Sequence, residues 1–148
     1  MILKDLYNME IKDYVNKWIA SSTIYWKDIH QEIDNLQYVK EEDRDFAKNN
    51  IKLIFGKCIG VIENYLIIQD KRGILRIMPK LVANIYPTPK FEWGDKVQEV
   101  QRPEIKGEIE NLLWHMKDDE FKYFIKINGK SKSRRYNPEE LEFLKENI

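Results

Sequence analysis

The sequence predicts an α+β protein, with a helical amino-terminal part followed by a small antiparallel β-barrel. Three observations carry that reading. Apolar residues recur every three to four positions over much of residues 8–55, the spacing of a buried helical stripe. Beyond residue 92 the pattern changes to short alternating segments between Gly, Asn and Asp turns, the mark of strands and hairpins. Between them lies Tyr86-Pro87-Thr88-Pro89, which cannot be regular structure. Each proline there lacks an amide donor and biases its predecessor away from helix. The chain therefore divides into a helix-rich region over 1–86 and a barrel over 90–148.

In the first region Asn8 caps a helix running to about residue 20, with Ile11, Tyr14, Val15, Trp18 and Ile19 on its buried stripe. Ser21-Ser22-Thr23 breaks it and caps a second helix, whose face is Trp26, Ile29, Ile33 and Leu36. His30 lies off that face and reads as a solvated surface histidine. Glu41-Glu42-Asp43 suits the start of a third helix, to about residue 55, where negative charge meets the positive end of the macrodipole. Gly56 and Gly60 argue against its continuation, since each weakens a helix interior by about 1 kcal/mol. Residues 57–64 fit a helix tail or a strand. Residues 65–69 and 74–78, around Asp70-Lys71-Arg72-Gly73, carry a hairpin signal closed by Pro79, so helix and hairpin both stay open over 57–78.

The barrel is built from residues 93–97, 105–114, 121–127 and 131–136 as strands. Lys117-Asp118-Asp119-Glu120 makes a polar turn. Asn128-Gly129 makes a tight hairpin, because both residues tolerate positive φ. Asn137-Pro138-Glu139-Glu140 reads as a capped turn into a closing segment, 141–144. No internal repeat is evident. The order Gly94-Asp95-x-Val97, Gly107-x-Ile109, Trp114-His115, Tyr123 to Ile127, Asn128-Gly129-Lys130, Arg135-Tyr136 and Glu140-Leu141 resembles SH3-like barrels of the KOW or Tudor kind. The resemblance covers residues 90–144. It implies a short 3₁₀ turn before the final strand, and it implies no activity, because such barrels host unrelated roles.

Composition narrows the function classes. The chain has 148 residues, 43% hydrophobic and 34% charged, which suits a folded soluble domain. Formal net charge is +0, so a charged partner must be met by a local patch. Cys58 is the single cysteine, which excludes an intrachain disulfide and a four-cysteine zinc site, and its apolar neighbours make it a small hydrophobe. No basic start precedes a long apolar run, and no stretch is long enough for a membrane span, so a cytoplasmic location follows. Richness in Ile, Lys and Asn fits an AT-rich bacterial or phage genome. There is no G-x-S-x-G elbow, phosphate loop, H-E-x-x-H or dinucleotide fingerprint, and His30 and His115 stand far apart with no further ligands at fixed spacing. The expectation is a non-enzymatic protein without cofactor or metal.

The sharpest local feature is residues 122–136, which hold Lys122, Lys126, Lys130, Lys132, Arg134 and Arg135 and no acidic residue, interleaved with Tyr123, Phe124 and Tyr136. Strand alternation puts Lys122, Phe124 and Lys126 on one face and Tyr123, Ile125 and Ile127 on the other. These cations either solvate a hairpin and pair with the acids at 108–110, 118–120 and 139–142, or they bind. The binding candidates are Trp114, Lys130, Lys132, Arg134, Arg135 and Tyr136. The function expected first is a protein-binding module meeting an acidic surface of another protein, as small bacterial or phage inhibitors and immunity proteins do. The alternative is a nucleic-acid-binding barrel, in which the cations grip phosphates and the aromatics stack on bases. A third is an enzyme with a non-local site around His115.

Overall fold

The computed structural model describes residues 9–24 and 35–145. The chain divides into two compact units, Met1–Thr88 and Pro89–Ile148. The first contains strands β1 (Trp18–Ser21), β2 (Phe55–Ile62), β3 (Tyr65–Asp70), β4 (Gly73–Ile77) and β5 (Val82–Tyr86). They form one antiparallel sheet in the order β4-β3-β2-β1-β5. The second contains β6 (Lys96–Glu99), β7 (Lys106–His115), β8 (Glu120–Ile127), β9 (Lys130–Ser131) and β10 (Leu141–Phe143), in the order β10-β6-β7-β8-β9.

This overturns the expected α+β class with a helical amino-terminal part. Among the described residues the protein is mostly β, 45% strand against 19% helical, with one short α-helix, α1 (Arg44–Asn50). The helix expected over 8–20 is a 3₁₀ turn, Ile11–Tyr14, followed by β1. Asn16, at φ 72, breaks the run between them, a conformation asparagine tolerates better than most residues. All four residues of β1 are buried, so the strand shows no alternation and its apolar side chains completed a false helical stripe. The second expected helix falls mainly on residues 25–34, outside the described residues; Leu36 lies in a 3₁₀ turn, Asn35–Tyr38.

The third expected helix is cut short. A 3₁₀ turn, Glu41–Asp43, leads into α1, and Ile51 is already extended at φ −133 and ψ 119. Residues 57–64, left open between helix tail and strand, belong chiefly to β2. The cause lies at Gly56. A Cβ there would stand 2.1 Å from the Gln69 carbonyl oxygen, so glycine is what lets β2 close on β3.

The first unit's core gathers Ile19 from β1, Cys58 from β2, Leu66 and Ile68 from β3, and Leu75 and Ile77 from β4. Burial pushes the Cys58 thiol above its ordinary range, as suits an inert core residue. Two ion pairs tie the segment between β1 and β2 to the hairpin. Asp70, 1% exposed at its side chain, accepts from the Phe55 amide (3.0 Å) and from Arg72 Nε (2.8 Å). Arg72 also donates to the carbonyls of Asn50 and Leu53. Asp43 accepts from Arg76 N and Nε, both at 2.9 Å, and these bonds hold its carboxyl below the usual range.

In the second unit Asn128 (φ 52) and Gly129 (φ 77) form the tight turn between β8 and β9. A 3₁₀ turn, Pro138–Glu140, precedes β10. The fourth expected strand, 131–136, is corrected: β9 ends at Ser131, and Tyr136 rejoins the sheet as an isolated bridge to Tyr123. The five strands of the second unit form one antiparallel sheet, with β9 and β10 at its two edges. Counted within each unit, both sheets run fourth-third-second-first-fifth, each with a 3₁₀ turn before its fifth strand (Pro79–Leu81 in the first). Among the described residues no helix is long and apolar enough to cross a membrane.

Candidate functional site

The basic segment is shaped by an interruption in strand pairing. Ile127 pairs with Lys130 and Lys126 with Ser131, and the next pair is Tyr123 with Tyr136. Between the last two pairs β8 spends three residues (126 to 123) and the returning chain five (131 to 136), so two residues are extra. The excess is expelled as a bulge, Lys132-Ser133-Arg134-Arg135, and all four residues are exposed. Its two ends are fixed. The Lys132 amide donates to the Ile125 carbonyl at 3.1 Å, and Tyr136 and Tyr123 exchange backbone bonds of 2.8 and 2.9 Å.

Beneath the bulge lies a buried carboxylate. Glu99, at the end of β6, is 5% exposed at its side chain and accepts from the Tyr136 hydroxyl at 2.7 Å and from Arg102 Nε at 2.9 Å. Arg134 reaches the same carboxylate at 3.5 Å and Glu140 at 2.8 Å, with its guanidinium 4.4 Å from the Tyr136 ring centre. Burial pushes the Glu99 carboxyl up, but the hydrogen bonds from Tyr136 and Arg102 outweigh it and hold the group below its ordinary value. Burial, and then the hydrogen bond and charge of Glu99, push the Tyr136 phenol up to about 12.

A second ionic cluster sits on β8. Lys122, 2% exposed, is enclosed by Glu120 (2.6 Å), Asn137 Oδ1 (2.7 Å) and Asp118 (2.8 Å). The Asp118 amide donates to His115 Nδ1 at 3.2 Å. The same nitrogen lies 3.5 Å from the Asp118 carboxylate. The face expected to carry Lys122, Phe124 and Lys126 outward therefore has Lys122 sealed within it.

The six predicted binding residues separate. Lys130, Lys132 and Arg135 are exposed and make no ion pair among the described residues, although after the Lys122 hydrogen bond the charge of Arg135 helps to hold the Asp118 carboxyl down. Arg134 is drawn against Glu99 and Glu140, yet keeps 45% of its side chain exposed. Tyr136 is 3% exposed and serves the interior. Trp114 is half-buried and packs edge-on against Phe121, ring centres 5.0 Å apart. Sequence reasoning missed Glu99 and Arg102. Nothing in the spacing marks Glu99, because the bonds that join it to Tyr136 and Arg134 span more than thirty positions, and Arg102 enters the cluster only through Glu99. Among the described residues no group of three or more His, Cys, Asp or Glu could hold a metal ion.

A family model described as a family of unknown function, DUF6960, matches residues 23–142. The chain belongs to this family. The match to DUF6960 runs through both units, so the bulge, Glu99, Arg102 and Tyr136 all lie inside it. No curated protein and no solved structure matches the chain, and the likeness to SH3-like barrels rests on the motifs at 90–144.

Proposed function

We propose that this DUF6960 member is a non-catalytic protein-binding module that docks the bulge of its second unit on an acidic surface of another protein. One observation carries the reading. Lys130 at the end of the hairpin, and Lys132 and Arg135 on a bulge whose base is pinned by Tyr136 and Arg134, stand exposed and make no ion pair among the described residues. Cations that the protein leaves unpaired on a fixed frame lose little conformational freedom on binding and supply electrostatic complementarity. Blocking a partner's surface needs no chemistry, which suits small inhibitors and immunity proteins. The lone, buried Cys58 thiol is compatible with a cytoplasmic setting.

The aromatic residues favour a protein over a nucleic acid. Base stacking needs exposed rings, whereas Tyr123 and Tyr136 are 1% and 3% exposed. The test is fluorescence anisotropy of the full chain with a labelled oligoglutamate peptide and with labelled single-stranded DNA and RNA, over a salt series. Peptide binding that weakens with salt, and falls at least about tenfold in Lys132→Glu/Arg135→Glu, is the expected result. Tighter binding to either nucleic acid, or no peptide binding at low salt, would overturn it.

A further inference from the structure

The two sheets match residue by residue, well beyond their strand order. Ile19 in β1 pairs with Gly56, and Val97 in β6 with Gly107. Each glycine sits where a Cβ would strike the carbonyl of the next strand, 2.1 Å from Gln69 O and 2.6 Å from Lys126 O. In each unit the second strand bulges just beyond that glycine, between Cys58 and Gly60 and between Ile109 and Asn111. A residue with positive φ lies three positions before Ile19 and before Val97: Asn16 at φ 72 and Gly94 at φ 86. Their amides donate to Cys58 O (2.7 Å) and Ile109 O (2.8 Å), the same carbonyl in each frame. Ile77 and Tyr136 both pair back to the third strand, and each is followed two residues later by the proline that opens the 3₁₀ turn.

This frame makes Ser21 the counterpart of Glu99, since they pair with Val82 and Leu141, the first residues of the two fifth strands. It makes Ile77 the counterpart of Tyr136. In the first unit the pair is closed on itself: Ser21 Oγ accepts the Ile54 amide at 2.9 Å and donates to the Ser22 carbonyl at 2.8 Å, and Ile77 is plain core. The same frame is thus completed in one unit with a serine and an isoleucine. In the other, those positions hold a buried phenol and a buried carboxylate bonded to each other, and the carboxylate also meets Arg102 and Arg134, 53% and 45% exposed. Each guanidinium has five N–H donors, and Glu99 and Glu140 do not use them all.

We infer that the two units are copies of one domain, and that the second copy alone has turned the Ser21–Ile77 pair of positions into a Glu99–Tyr136 anchor that holds Arg102 and Arg134 for a carboxylate group of a protein partner. This rests on the reading of an acidic partner and deepens it. A planar guanidinium fixed in advance recognises a carboxylate in bidentate fashion at a smaller entropic cost than a free side chain.

The test replaces the anchor by its counterpart in the full chain, Glu99→Ser/Tyr136→Ile, and measures the labelled oligoglutamate peptide by anisotropy beside an amide NMR spectrum. The double variant has one negative charge fewer, so unspecific attraction would tighten binding. Loss of the prearranged arginines weakens it, at least about tenfold. The expected result is a spectrum that keeps the dispersed resonances of the second sheet together with that weakening, and Arg102→Gln weakens binding likewise. A collapsed second sheet would overturn the equivalence of the positions. Unchanged or tighter binding in both variants would overturn the anchor. If Lys132→Glu/Arg135→Glu loses the peptide while these variants hold it as the wild type does, the docking surface stands and this inference alone falls.

Discussion

The hydroxyl of Tyr136 donates to Glu99 Oε2 at 2.7 Å, a phenol and a carboxylate buried together at 3% and 4% exposure. This bond joins the end of β6 to the chain that follows the basic bulge. A buried carboxylate is costly unless hydrogen bonds and opposite charge meet it, and Tyr136, Arg102 and Arg134 do so here. The cations of the bulge therefore stand on a base held by buried hydrogen bonds as well as by strand pairing.

The pair makes the second unit sensitive to alkali. Because the Tyr136 phenol is raised from 10.0 to about 12, its contribution is complete below pH 10 and is lost as pH climbs through the raised value. Glu99 has the opposite sign: lowered from 4.5, it contributes above that pH and its share is lost as acid protonates it. Tyr136→Phe should cost about 1–3 kcal/mol at pH 8, by removing a hydrogen bond to a buried charge. Urea denaturation at several pH values checks this, and the gap between wild type and variant should close above pH 10.

Steric closeness makes Gly56 and Gly107 intolerant of the smallest side chain. A methyl group at Gly56 would lie 2.1 Å from Gln69 O and one at Gly107 2.6 Å from Lys126 O, both backbone atoms that strand pairing holds in place. Each Gly→Ala change should destabilise its own unit by about 1–3 kcal/mol, with Gly56 the more severe. Gly94, with nothing within 4 Å of a Cβ, should be limited by its φ of 86 alone. Thermal melts of the three variants test the ranking.

Asp70 should matter more than any surface ion pair. It is 1% exposed and satisfies the Phe55 amide along with the Arg72 backbone and guanidinium. Asp70→Ala leaves these donors without a partner at the junction of β2 with the hairpin. The expected loss is about 2–4 kcal/mol, discounted because Arg72 is 43% exposed. The Lys12–Glu10 pair, 77% and 71% exposed, should be worth little, and Lys12→Ala should leave the urea midpoint unmoved.

What the sequence disclosed, and what it hid, follows from the range of the interactions involved. Turns were legible because their chemistry is local: Asn128-Gly129 supplies its own positive φ, and Asn137 and Glu140 form a reciprocal capping box within four residues. The amino-terminal sheet was not, because β1 and β2 are separated by residues 22–54 and β1 is buried on both faces. Tyr14, Val15, Trp18 and Ile19 then imitate a helical stripe, and only Gly56 and Gly60 spoke for a strand. The repeat was hidden for a similar reason. What the two units share is backbone geometry, and side chains at matching places differ as widely as Ser21 and Glu99.

Of the binding candidates, Lys130, Lys132 and Arg135 were legible as cations without local acids, and the structure leaves them exposed. Tyr136 was misread, because an aromatic beside Arg134 and Arg135 suggests a surface, whereas its bridge to Tyr123 turns it inward. Burial of Lys122 was equally hidden, since its cage combines the nearby Asp118 and Glu120 with Asn137 from across the bulge.

In the proposed function, the bulge of the second unit is the surface that meets an acidic partner. The most direct measurement is amide NMR of the full chain titrated with the oligoglutamate peptide, read residue by residue. The expected shifts are concentrated at residues 130–135 and at Arg102 and are reversed by salt, with the first unit silent. Shifts centred on the first sheet, or on the acids at 108–110 in place of the bulge, would contradict it.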